Sequence, residues 1–173
     1  MRHASLALIV LFAGCSAPAV MPAPPATAAA SRPAAIDSFQ GDFRFLSNFW
    51  PAEVVFEGIT YPSSEHAYQA AKTLDVAERK KIAATTSPAD AKRAGRALKL
   101  RDDWETAKFD VMERCVRDKF TRHPDLRQKL LATGDAELIE GNTWGDRVWG
   151  VYQGEGANHL GRILMKVRAE LRG

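Results

Sequence analysis

Residues 102–121 read DDWETAKFDVMERCVRDKFT. Trp104, Ala107, Val111, Met112, Cys115, Val116 and Phe120 recur in it at three- and four-residue spacing. That period predicts one long helix, Trp104 to about Thr121, with a single buried face and Asp102-Asp103 as its cap. Upstream, Ser87-Pro88-Ala89-Asp90 is a strong helix start, ending near Gly95 or Leu98. Asp75 caps another predicted helix, running through Ala84. Pro62-Ser63-Ser64 opens a third, to about Leu74, with Glu65 in its first turn. Downstream, Pro124 starts a short helix over 125–132 that Gly134 terminates. Asn158 caps a last helix whose face is Leu160, Ile163, Leu164, Val167 and Leu171. Short β-prone runs lie at 42–45 and 54–61, with Glu57-Gly58 as a hairpin turn, and at 136–140 and 147–152. Strands, a block of helices, strands again and a helix predict an α+β fold: a mostly helical single domain with a few short strands.

Composition agrees. The 173 residues are 46% hydrophobic and 26% charged, as in a soluble globular domain. Apart from Arg2 and Arg32, 22 basic and 21 acidic residues nearly cancel, so no global charge draws the domain to nucleic acid or an anionic membrane. Two cysteines exclude a disulfide framework. Of these, Cys115 reads as a buried core thiol. No run of about twenty apolar residues is present, so no ordinary membrane span is expected.

The first residues read as an address. Met1-Arg2-His3 is a basic start, 4–13 is almost wholly apolar, and Leu11-Phe12-Ala13-Gly14-Cys15 follows the grammar of a bacterial lipoprotein signal, with Phe12 where the box usually carries leucine. Residues 1–15 are therefore expected to be a signal peptide with lipidation at Cys15. Residues 16–36 hold five of the nine prolines and little besides alanine, which reads as a disordered tether. The folded domain is expected over 37–173. A membrane-anchored protein, periplasmic or at the cell surface, would follow. A start assigned too far upstream on a cytoplasmic protein is the competing account.

Three segments carry more chemistry than packing needs. Residues 43–51, FRFLSNFWP, cluster aromatics with Arg44, Ser47 and Asn48 where a loop should be; this is either a hydrophobic corner or the wall of a pocket for a flat heterocycle. Glu65, Tyr68, Gln69 and Lys72 stand at i, i+3, i+4 and i+7, one helix face, beside small Ala67, Ala70 and Ala71. Glu65, near the helix start, is expected to stay ionised. Residues 140–150 place Glu140, Asp146, Trp144 and Trp149 among three glycines, which suits a binding loop better than a core strand. His66, His123 and His159 lack metal-ligand spacing, so no metal site and no cofactor are expected.

Together Ser47-Asn48-Phe49, Ser64-Glu65-His66, Gln69-Ala70-Ala71-Lys72, Ala94-Gly95-Arg96, Trp104, Lys119-Phe120, Trp149-Gly150, Gly156 to Asn158 and Leu160-Gly161 resemble the NADAR family, which includes the YbiA-like N-glycosidases. The resemblance spans 39–171 in order. It implies hydrolysis of an N-glycosidic bond between a (phospho)ribose or ADP-ribose and a nitrogenous base, such as early riboflavin-pathway intermediates; ADP-ribosyl-guanine is an alternative substrate. It also implies a catalytic set of Glu65, Lys72 and Asp146. The resemblance carries Trp104, Glu140 and Trp149 into the substrate-binding set; the residue types themselves add Arg44, Phe45, Ser47, Asn48, Phe49, Asn142 and Asn158 as candidates. Arg96 is a further phosphate candidate. A non-catalytic ADP-ribose or nucleotide-binding module is the alternative of another class. The expected partner is a small ribosylated molecule, with no stable nucleic-acid binding. Family members are normally cytoplasmic, which sits awkwardly with a lipoprotein leader.

Overall fold

In the computed structural model, residues 34–173 are described. The leader, Cys15 and the tether as far as Pro33 lie outside the described residues. Ala35 and Ile36, expected at the end of the tether, instead form β1 (Ala35–Ile36), and Ile36 is buried. A 3-10 helix follows (Gly41–Leu46), then the hairpin β2 (Val54–Phe56) and β3 (Ile59–Tyr61). Next come α1 (Ser64–Ala70), α2 (Val76–Ala83), α3 (Pro88–Gly95), α4 (Trp104–Arg122) and α5 (Pro124–Ala132). The chain closes with β4 (Glu137–Leu138), β5 (Gly141–Asn142), β6 (Val151–Tyr152) and α6 (His159–Arg172). Helices dominate, and the strands make three two-stranded pairs: β1–β4 parallel, β2–β3 antiparallel, β5–β6 parallel. The fold is α+β, as the order of elements predicts.

The long helix α4 is the central pillar, packed on α1, α5, α6 and β2. Its predicted apolar face is the face that is buried, Cys115 included. Burial also pushes the Cys115 thiol well above its ordinary range, so it is an inert core group. Ser63, Asp75 and Ser87 cap α1, α2 and α3 through their side chains, as expected.

Several local expectations are corrected. Residues 42–45 are not a strand: Gly41 turns at φ +52° and the chain coils into the 3-10 helix. Helix α1 stops at Ala70 and not near Leu74, because Lys72 and Thr73 bond back three residues and the Thr73 carbonyl accepts from the Arg79 guanidinium at 2.7 Å. Asp103 occupies the cap position of α4 but gives its carboxylate to Arg101. Asn158 precedes α6 in the left-handed region, φ +50°, and its amide serves a different purpose, described below. The strand runs around 136–152 shrink to pairs of residues, because 143–149 is occupied by a tight loop.

Candidate active site

Tyr68 is the hub. Its ring lies 5.2 Å from that of Trp104 and 5.4 Å from that of Trp149. Phe109 backs Trp149 at 5.5 Å and stacks on His159 at 4.5 Å. Two tryptophans from distant stretches thus converge on α1, where the polar stripe predicted from sequence begins.

Three carboxylates gather beside these rings. Glu65 is buried at the start of α1; its backbone N–H donates to the Asn48 carbonyl at 3.1 Å, and its Oε1 accepts from Gln69 Nε2 at 2.8 Å. Burial raises the Glu65 pKa, against the pull of Gln69, Lys92 and Lys72, and with a further push from Asp146. Loss of water and the field of the first helix turn thus act on Glu65 in opposite directions. Glu140 follows β4, and burial, with Asp146 and Glu65 nearby, pushes its carboxyl up to about 8. The Asp146 Oδ1 accepts from the backbone of Val148 and Trp149, both at 2.9 Å, which folds the loop and brings Trp149 inward.

Cations face them. Burial lowers the Lys72 pKa, an effect that Glu65 opposes and that Lys92 and Arg96 reinforce. The Lys72 ammonium sits 5.9 Å from the Tyr68 ring centre, and that of Lys92 5.8 Å from the Phe49 ring. Lys92 was not anticipated. The usable signal was its place four residues before Arg96 on α3, the same helix face. That face meets α1 closely, because Gly95 has no side chain to strike Gln69.

Of the expected residues, then, Glu65, Lys72, Trp104, Glu140, Asp146 and Trp149 come together, with Phe49 and Asn48 at the edge. Others do different work. Phe45 is a buried core residue, packed edge-on against Phe120 at 6.4 Å, and is not among the rings around Tyr68. Arg44 donates to the Gln40 side chain at 3.2 Å on the exposed side of the 3-10 helix. Ser47 Oγ accepts from the backbone of Phe49 within its own turn. The Asn142 amide is consumed by the loop: Nδ2 donates to the carbonyls of Asp146 (2.7 Å) and Val151 (3.0 Å), and Oδ1 accepts from Asp146 N. Asn158 accepts from Glu140 N at 3.1 Å and donates to the Leu138 carbonyl at 2.9 Å. These two asparagines hold the site's frame and do not offer free amides to a ligand. Among the described residues, no group of three or more His, Cys, Asp or Glu converges as a metal site.

Glu140 has a consequence for stability. Its folded pKa of about 8 stands above the ordinary 4.5, so the folded protein binds more protons between those values and loses stability as pH rises through them. Glu140→Gln is expected to abolish that loss. Thermal melting of both proteins between pH 5 and pH 9 should show the variant gaining on the wild type as pH rises; parallel curves would refute the assignment.

Residues 37–172 match the NADAR domain. N-glycosidase YbiA of Escherichia coli is 43% identical over 139 residues, covering 78% of this chain and 85% of that protein. A riboflavin biosynthesis protein of Vibrio vulnificus is 44% identical over 130 residues, which cover 73% of this chain and 35% of that longer protein. The NMR structure of E. coli YbiA superposes with a TM-score of 0.70 at 41% identity, over 79% of this chain and 83% of that one. The chain belongs to the NADAR family. It is an N-glycoside hydrolase of the α+β YbiA type.

Proposed function

We propose that the substrate is a phosphorylated riboside of a nitrogenous base, in the class of early riboflavin-biosynthesis intermediates, and that Glu65, Glu140 and Asp146 carry its cleavage. The supporting observation is the packing of three carboxylates beside Tyr68, Trp104 and Trp149, with Lys72 and Lys92 opposite. Breaking the bond builds positive charge at C1 and the ring oxygen, which a carboxylate beside them stabilises. Asp146, held through Oδ1, takes this role with Oδ2. Glu140, protonated near neutral pH, donates its proton to the departing base nitrogen. Glu65 activates the water that attacks C1. The tryptophan faces hold the base, and Lys72, Lys92 and Arg96 suit the sugar phosphate.

Lys72 has a second role open to test, as a nucleophile. Burial lowers its pKa; as the deprotonated amine it attacks C1 while the base leaves with a proton, the ring C1–O bond then opens with protonation of the ring oxygen to give an iminium, and water hydrolyses that iminium to release the sugar and the lysine. Incubation with phosphorylated ribosides and with ADP-ribosylated guanine, reading released base, tests the substrate class; release from the second alone would refute the riboside assignment. Lys72→Arg separates the lysine roles. Retained turnover makes the lysine a cation only, and abolished turnover with borohydride trapping of the wild type makes it the nucleophile.

We also propose that the domain is carried outside the cytoplasm on a tether lipidated at Cys15. The support is the order of basic start, apolar run, small residues and cysteine in 1–15. Mass spectrometry of the native N-terminus tests it, and an intact Met1 on a cytosolic protein would sink it.

A further inference from the structure

The stretch 45–48, which carries Asn48 to the site, runs out of the C-terminal end of the 3-10 helix, where the last carbonyls need donors from outside it. Two come from one side chain. Lys119 of α4 is 1% exposed, and its Nζ donates to the carbonyls of Phe45 at 2.6 Å and Ser47 at 3.0 Å. It makes no ion pair among the described residues, and the Phe120 ring lies 5.0 Å from its nitrogen. Burying an amine this way is costly, and a methionine or leucine would fill the same space more cheaply.

A second strap lies two helical turns back on the same face of α4. There Met112 Sδ accepts from Asn48 Nδ2 at 3.1 Å. The strapped segment then hands on its placement, because the Asn48 carbonyl receives the Glu65 backbone N–H at the head of α1.

We propose that Lys119 is a positioning residue for hydrolysis: its two hydrogen bonds fix 45–48, and through the Asn48 carbonyl they fix where the Glu65 carboxylate stands. The inference rests on Glu65 acting in catalysis. A carboxylate displaced by even a fraction of an ångström loses alignment with the reacting carbon, whereas substrate held by the tryptophans and cations binds much as before.

The test is steady-state kinetics of Lys119→Met, with Glu65→Gln beside it, well below the melting temperature of each. Lys119→Met is expected to lower kcat by roughly tenfold or more with KM changed less than about twofold. A purely structural lysine would lower the melting temperature and leave kcat of the folded enzyme unchanged, and that result overturns the proposal. If Lys119→Met does not fold, Lys119→Gln decides, since its shorter side chain cannot reach both carbonyls: a reduced kcat at constant KM supports the proposal and an unchanged kcat overturns it. Full turnover in Glu65→Gln overturns the role of Glu65 itself. Wild-type kcat in Lys119→Met beside an inactive Glu65→Gln overturns the positioning role alone.

Discussion

Glu65→Gln is expected to lower turnover by at least about a hundredfold with the fold intact. The substitution removes a titratable group and almost no volume. A glutamine oxygen can still accept from Gln69, and the backbone bond to Asn48 does not involve the side chain. Asp146→Asn should act similarly, since its amide oxygen can keep both loop bonds to Val148 and Trp149. Release of base from a phosphorylated riboside, with circular dichroism as the control for folding, checks both. Near-normal turnover in the double variant would remove these carboxylates from the mechanism.

Gly150→Ala is expected to be among the most damaging single-methyl changes in the molecule. Gly150 is buried against the Glu140 carbonyl, the Asn142 amide and the Glu140 Cβ, and an added methyl would overlap backbone that cannot swing away. That Glu140 carbonyl accepts from Val151 N at 2.9 Å and so helps join β5 to β6. Overpacking of this kind costs about 1–3 kcal/mol. It also shifts Glu140 within the site, so activity should fall by more than the loss of folded protein explains. Thermal melting with kcat per folded molecule measures the two effects, and a variant with the wild-type melting temperature would show that the loop yields.

Much of this was legible in the sequence. The three serine and aspartate caps and the apolar period of α4 are local signals, and each produced its element. The stripe Glu65, Tyr68, Gln69, Lys72 was readable as one face because helical spacing is fixed. What faces that stripe depends on packing between distant segments, which leaves no periodic trace; hence Lys92 went unseen. The roles of Phe45 and Asn142 are not legible for a related reason. An aromatic in a loop can point into the core or into a pocket, and an asparagine can bond a ligand or its own backbone, and residue type alone does not choose. The upward shift of the Glu65 pKa comes from burial that only the assembled fold imposes.

Consider finally the pairing of Ala35–Ile36 with Glu137–Leu138. During synthesis the ribosome delivers β1 about a hundred residues before its partner, so this strand must wait, unpaired, while the helical block emerges. Residue 140 follows directly on that partner strand. The nascent chain therefore lays down α4 before Glu140, Asp146 and Trp149, and any fragment ending before residue 137 has neither β4 nor Glu140. Premature termination would leave a helical stub with an exposed strand edge, prone to association, in place of a weakened enzyme.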